Sequence, residues 1–228
     1  MSILTDNIAR VRSRIEAAAH VSQRPLQDIG LLAVSKTWPA ESISAAYAAG
    51  LTHMGENYLQ EALAKQAQLS HLPLVWHFLG NIQSNKTLEV ARHFDWVHAV
   101  DRLKIATRLA QQRPAGMPPL NICLQVNISG EASKSGCTPA ELPELAQAVE
   151  KLDNVRLRGL MVIPQPSDEF EQQRAAFRQT RLLLEQTNGL LDTPMDTLSM
   201  GMSADLEAAI AEGATWVRIG TAIFGARG

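Results

Sequence analysis

The sequence predicts an α/β chain that closes into one (β/α)8 barrel preceded by an extra N-terminal helix. Short apolar runs alternate with amphipathic or alanine-rich segments along the chain, and eight strand–helix units fit within about 190 residues. Runs such as Leu31-Leu-Ala-Val and Leu120-Asn-Ile-Cys-Leu-Gln-Val are almost continuously apolar, as parallel strands covered on both faces should be. An open doubly wound sheet is the alternative this pattern leaves.

The elements follow in order. A helix over Ile3 to Ala19 precedes the first strand, Ile29 to Ser35, whose helix runs from Ala40 to Ala49 with Gly50 at the C-terminal cap. Leu51 to Met54, Leu74 to Leu79 and Trp96 to Ala99 read as strands two to four, followed by helices over Tyr58 to Gln68, Ser84 to His93 and Arg102 to Gln112. Strand five spans Leu120 to Val126. Its helix, Ala140 to Leu152, carries Thr138 as an N-cap, Pro139 at the favoured first position and Glu141 three residues after the cap. Leu157 to Ile163, Thr197 to Met200 and Trp216 to Ile219 complete the strands, with helices over Phe170 to Asn188, capped by Gly189, and Ala204 to Ala211. No linker or low-complexity tract interrupts residues 1–228, so a single domain is expected.

Composition limits the partners. The 228 residues can bury a sizeable core, and a net charge of −2 with an isoelectric point near 6.3 leaves no electrostatic footprint for nucleic acid or an anionic membrane. A small-molecule partner follows. No apolar run approaches the roughly 18 residues of a membrane span, and the N-terminus lacks a signal-peptide pattern, so a cytoplasmic protein is expected. Cys123 and Cys137 have neither metal-like spacing nor secretory context and read as reduced thiols.

In a barrel of this kind the functional groups belong at the C-terminal ends of the strands. Those positions hold Lys36, then Gly55-Glu56-Asn57, then the loop Gly80-Asn-Ile-Gln83-Ser-Asn-Lys86. Asn127, Pro164, Gly201-Met202-Ser203 and Gly220-Thr221 follow. The loops after strands seven and eight are the usual phosphate subsite: glycines admit backbone N–H groups, and Ser203 and Thr221 add hydroxyl donors. The bland alternative makes Ser203 a helix cap and Gly220 a turn residue.

Arg218, inside strand eight, is either a structural ion pair or a ligand group, and Lys36 on the neighbouring first strand favours a shared ligand. Desolvation and a nearby cation would lower the lysine's pKa and free its amine for a Schiff base. A Schiff-base lysine opposite a phosphate cradle suits pyridoxal 5′-phosphate. It suits a phosphorylated sugar in a Schiff-base aldolase as well.

The longer motifs are more specific. Leu32-Ala-Val-Ser-Lys36-Thr, Gly55-Glu-Asn-Tyr-Leu-Gln-Glu61, Trp76-His-Phe-Leu-Gly-Asn-Ile-Gln-Ser-Asn-Lys86, Arg158-Gly-Leu-Met-Val-Ile-Pro164, Leu198-Ser-Met-Gly-Met-Ser203 and Val217-Arg-Ile-Gly-Thr-Ala-Ile-Phe-Gly225 resemble the pyridoxal phosphate homeostasis protein family. Its barrel is similar to the N-terminal domain of alanine racemase. The resemblance implies Lys36 as the aldimine lysine, Ser203 and the Gly220 and Thr221 amides as phosphate contacts, and Arg218 near the phosphate or the pyridine nitrogen. Asn57 is a further candidate contact, to the ligand or to Lys36.

An arginine at the pyridine nitrogen keeps it unprotonated and weakens the electron sink, and a two-base racemase needs a second acid/base opposite the lysine. Tyr58 is the one tyrosine near the mouth, and strand eight ends close to the end of the sequence. The expectation is therefore a non-catalytic, monomeric carrier or buffer of pyridoxal phosphate, with PLP-dependent apoenzymes as recipients. A PLP-dependent amino-acid racemase and the aldolase are the alternatives. His53, His77 and His98 are expected as rim or core histidines without a metal, Glu56 as structural, Lys134 as a solvated loop residue, and Met200 and Met202 as packing.

Overall fold

The structure, a computed structural model, describes residues 3–131 and 134–226. Met1, Ser2, Arg227 and Gly228, which bound the expected 1–228 domain, and Ala132 and Ser133 in the loop before Lys134 lie outside the described residues.

Eight parallel strands close on themselves in sequence order: β1 (Gly30–Val34), β2 (His53–Glu56), β3 (Val75–Phe78), β4 (Trp96–Val100), β5 (Leu120–Gln125), β6 (Val155–Met161), β7 (Thr197–Ser199) and β8 (Trp216–Ile219). The alternative of an open sheet is excluded, because β1 pairs with β8 over four residues, from Gly30 beside Trp216 to Ala33 beside Ile219. Helix α1 (Ile3–Val21) precedes the barrel. The outer ring is α2 (Ala40–Ala48), α3 (Leu59–Gln68), α4 (Thr87–His93), α5 (Leu103–Gln112), α6 (Leu142–Glu150), α7 (Phe170–Asn188), α8 (Leu206–Ala211) and α9 (Thr221–Phe224).

Strand residues of one parity face the helices, as the pleat requires. Ala33, Met54, Val97, Ile122, Leu160, Val217 and Ile219 are buried in the main core between sheet and helices. Helix α1 adds Ile8, Val11, Ile15, Ala18 and Ala19 to that core, a spacing of three and four that puts all five on one side. It is tied to the far end of the chain by the Arg14–Glu207 pair and by Arg24, which donates to the carbonyls of Ile210 and Ala214.

Several boundaries differ from expectation for local reasons. Strand two starts at His53 and runs on through Gly55 and Glu56, two residues beyond the apolar stretch, because Glu56 is buried with a charged partner. Thr138 and Glu141 do form the reciprocal capping box, with Thr138 N donating to Glu141 Oε2 at 2.8 Å and Glu141 N to Thr138 Oγ1 at 3.3 Å. The box closes a turn, however, and α6 begins only at Leu142. Gly50 has φ of +83° and serves as the expected left-handed helix stop, whereas Gly189 ends α7 at φ of −65°. Both cysteines are free thiols and both are buried, Cys137 reaching the core from the loop between β5 and α6.

Candidate ligand site at the barrel mouth

The register decides which groups meet at the mouth. Leu32 lies beside Arg218, and Val34 beside Gly55. The residues of opposite parity, Ala33, Met54 and Ile219, face the helices, so Leu32, Arg218 and Gly55 face the interior, with Lys36 and Asn57 in the turns that follow β1 and β2 at the C-terminal end. Gly220 follows Arg218 by two and is held against β1: a Cβ there would stand 3.2 Å from the Val34 carbonyl oxygen. The seam between β8 and β1 thus brings Arg218, Gly220 and the Lys36 turn to one edge.

Lys36 sits in a turn that ends β1 and is half-buried. The turn is pinned on both sides of the lysine. Ser35, wholly buried, donates from Oγ to Glu56 Oε1 at 2.6 Å and accepts from Lys65 Nζ at its carbonyl at 2.9 Å. Thr37 donates its backbone N–H to Glu61 Oε1 at 2.5 Å. Lys65 completes the cluster with contacts of 2.8 Å to Glu56 and 2.5 Å to Glu61. Thr37 has φ of +69°, a strained conformation for a β-branched residue that this cluster over-determines. Burial raises the pKa of Glu56 against the lowering effect of its hydrogen bonds from Lys65 and Ser35, and its second oxygen, Oε2, has no partner. Lys65 was not legible as a site residue, although one signal existed: with Leu59 and Ala62 it occupies the buried face of α3 at three-residue spacing, where a cation is out of place.

Arg218 is buried, and burial lowers its pKa to about 10, so it stays charged at neutral pH. Its partners are neutral oxygens. Nη1 donates to the Ser199 carbonyl and, at 3.0 Å, to Ser199 Oγ, while Nη2 donates to the Val162 carbonyl at 2.9 Å. Asp205 acts on it through charge and without contact. The ion-pair reading is thereby displaced: three bonds fix the guanidinium plane and leave two of its five N–H groups for a ligand.

Ser203 is not a helix cap. Helix α8 starts at Leu206 behind Asp205, whose Oδ1 accepts the Met202 N–H at 2.6 Å, and the Ser203 hydroxyl accepts instead from Ala222 N at 3.4 Å. That contact carries Ser203 to the first turn of α9, a helix the sequence reading left out, where Thr221 is exposed and the first N–H groups lack helical partners. Gly201 has φ of +92°, and a Cβ there would meet the Ala209 Cβ at 2.5 Å, so only glycine permits this route from β7.

Asn57 is half-buried at the mouth and its Oδ1 is a buried acceptor without a partner. Its backbone is fixed by Gly80, where a Cβ would fall 2.1 Å from the Asn57 carbonyl oxygen. Tyr58 precedes α3 and is 53% exposed. The loop after β3 meets the loop after β5 through Asn81 Nδ2, which donates to Ser135 Oγ at 2.9 Å, and Lys134 pairs with Glu131 at 2.7 Å. Among the described residues, no group of His, Cys, Asp and Glu side chains is arranged to hold a metal ion.

Of the rim and core placements expected for the three histidines the structure gives the core one: with β2 starting at His53, they line the barrel interior away from the mouth. Hydrogen bonds link His53 Nδ1 to His77 Nε2 at 2.9 Å, His77 Nδ1 to His98 Nε2 at 2.9 Å, and His98 Nδ1 to Ser199 Oγ at 2.7 Å. Their same-face placement on adjacent strands was the signal; it needed the correct register of β2 to be visible. At the closed end the Trp96 and Trp216 rings stand 6.2 Å apart beside this column, with Arg158 4.7 Å over Trp96 and paired to Asp196 at 2.8 Å.

Fold and rim together define a (β/α)8 barrel with the Lys36 turn, a fixed guanidinium, Ser203 and Gly220 along one seam. The alanine racemase N-terminal domain profile matches residues 4–228. The chain is 65% identical to a pyridoxal phosphate homeostasis protein of Pseudomonas aeruginosa, covering 100% of this chain and 97% of that one, and 53% identical to one of Escherichia coli K12 over 100% and 98%. PipY of Synechococcus elongatus, solved with PLP bound, superposes with a TM-score of 0.85 at 40% identity, covering 97% of this chain and 100% of its own. An alanine racemase of Clostridium difficile shares the fold alone, with a TM-score of 0.72 at 14% identity over 97% of this chain and 57% of the racemase. The chain belongs to the alanine racemase N-terminal domain family and, within it, to the pyridoxal phosphate homeostasis proteins.

Proposed function

We propose that this chain binds pyridoxal 5′-phosphate reversibly and serves intracellular vitamin B6 homeostasis as a carrier or buffer, acting as a single-domain cytoplasmic monomer. The observation that carries the reading is the β8–β1 seam, where buried Arg218 has neutral partners and spare N–H groups beside the pinned Lys36 turn. The residues fit the cofactor on three further counts: the unpartnered Oδ1 of Asn57, the Ser203 hydroxyl turned toward α9, and the close approach that Gly220 permits. Related proteins bear the homeostasis name, and PipY has been solved with PLP.

Bound there, the cofactor supplies an aldehyde and a phosphate. Lys36 is the residue that holds the aldehyde covalently. Ser203 and the Gly220 and Thr221 amides hold the phosphate. Arg218 donates to the ring end, and Asn57 accepts from the ligand or from Lys36. A net charge of −2 gives no basis for nucleic-acid binding, and among the described residues no helix is long and apolar enough to cross a membrane. PLP-dependent apoenzymes are the proposed recipients.

The test is borohydride reduction of the protein incubated with PLP, followed by peptide mass mapping. A pyridoxyl-phosphate mass on the Lys36 peptide is expected; labelling confined to another lysine would overturn the anchor, and a sugar-phosphate mass on protein purified from cells would support an aldolase. Incubation with an L-amino acid is expected to leave optical rotation unchanged, and its decay would establish a racemase.

A further inference from the structure

Behind Arg218 the barrel interior holds a polar column whose other members ligand binding at the mouth does not use directly. It runs from Arg218 through Ser199, His98 and His77 to His53, with every link between 2.7 and 3.0 Å. Ser199, His98 and His77 are wholly buried, and His53 is half-exposed at the start of β2, the end of the barrel opposite the mouth.

The chemistry of its first member orders the whole line. A guanidinium only donates, so Ser199 Oγ accepts from Arg218, and the one hydroxyl proton goes to His98 Nδ1. A proton on His98 Nδ1 would instead give Oγ two incoming donors and leave its own hydrogen without an acceptor in a buried site. With Nδ1 accepting, neutral His98 carries its hydrogen on Nε2 and donates to His77 Nδ1. His77 then donates from Nε2 to His53 Nδ1, and His53 is left with its Nε2–H directed out of the line. Five residues share one donor direction, and reversing any link reverses all those beyond it.

We propose that Ser199, His98, His77 and His53 are positioning residues that form a proton-ordered line, locking the Arg218 guanidinium for its ligand from the far end of the barrel. Arg218 as a ligand group rests on the function proposed above; the order of the line does not. Burial holds all three imidazoles toward the neutral form, reinforced by the neighbouring imidazoles at His77 and by the Arg218 charge at His98, and opposed at His53 by the charge of Asp95. The groups facing His53 are His77, the Trp216 ring at 4.6 Å and, through charge, Asp95.

The experiment is 15N NMR of the full chain labelled at histidine, with and without PLP, alongside His53→Leu and His53→Asn. The amide oxygen of asparagine replaces the Nδ1 acceptor, and leucine removes it. Near neutral pH the wild-type protein should show His98, His77 and His53 as Nε2–H tautomers. His53→Leu should leave His77 as the Nε2–H tautomer, since Arg218 sets the direction, but should strip that N–H of its acceptor, shift the His77 Nε2 signal and weaken PLP binding about fivefold, and His53→Asn should restore both. An Nδ1–H tautomer at His98 in the wild-type chain overturns the line, even if no variant folds. An unshifted His77 Nε2 signal and unchanged PLP affinity in folded His53→Leu would overturn the remote lock. The expected tautomers in a protein that fails to take up PLP would sink the proposed function and leave the ordered line standing.

Discussion

Acidification should destabilise this barrel through its buried histidines. His77 and His98 are wholly buried; burial first, then the neighbouring imidazoles, holds His77 well below its ordinary range, and burial followed by the Arg218 charge holds His98 at about 3. In the unfolded chain both titrate near about 6.5. The unfolded state therefore binds more protons on the acid side: the stabilisation is complete above about pH 6.5 and is lost as pH falls from there toward about 3. Between about pH 7.5 and about pH 5.5 a histidine kept neutral in the fold costs about 1.4 kcal/mol, so the pair costs about 3 kcal/mol. Glu56, whose pKa is raised, contributes with the opposite sign. Urea unfolding of wild type and His98→Asn at both pH values cancels that contribution, because both proteins share it. The wild type should lose about 1.4 kcal/mol more than the variant over this interval. Equal losses would show that His98 takes up a proton in the folded protein and would refute its assignment as a locked neutral acceptor.

Other perturbations follow from single contacts. Lys65→Met leaves Glu56 buried without its cation and should cost about 3–5 kcal/mol in chemical denaturation. Because Ser35 and Glu61 lose the same partner, the folded fraction should also show reduced PLP labelling at Lys36. Gly80→Ala places a methyl 2.1 Å from the Asn57 carbonyl oxygen; PLP affinity, read by equilibrium dialysis, should fall at least tenfold while the circular dichroism of the barrel is retained. Arg218→Lys keeps the charge but cannot bond Ser199 and Val162 in one plane, so PLP affinity should fall about tenfold and should not recover at low salt.

Much of the fold was legible because its cause is periodic. Helix α7 was read at its observed limits, Phe170–Asn188, and β8 at Trp216–Ile219. Two misreadings fall where charged residues interrupt the apolar pattern of a strand. Apolar scanning ends strand two at Met54 because Glu56 looks like a loop residue, and it starts strand six late because Arg156 and Arg158 interrupt the apolar pattern, although Arg158 is fixed by Asp196 and Trp96. The same limit hid the support of the site. Lys36, Arg218, Ser203 and Gly220 announce themselves by strand-end position, whereas Lys65 and the histidine column act mostly through contacts between residues 9 to 101 apart in sequence. Motif spacing is blind to contacts of that range.

The two supports approach the seam from opposite sides and differ in kind. The Lys65 cluster is ionic and lies outside β1, binding the backbone on either side of Lys36 through Ser35 and Thr37. The histidine line is neutral and lies inside the barrel, holding a side chain of β8 through one hydroxyl. Breaking a buried ionic cluster strands a charge and costs global stability; breaking a neutral line costs single hydrogen bonds and mainly frees orientation. Substitutions in the first should therefore reduce PLP retention and fold stability together. Substitutions at Ser199 or His53 should loosen the grip on the ring end while leaving the anchor lysine in place. A double variant joining Lys65→Met to Ser199→Ala should be additive in unfolding free energy, since the supports share no residue, and more than additive in ligand affinity only if Lys36 and Arg218 hold the same molecule. Loss of PLP affinity in one single variant with none in the other would mean that the lysine and the arginine serve different ligands.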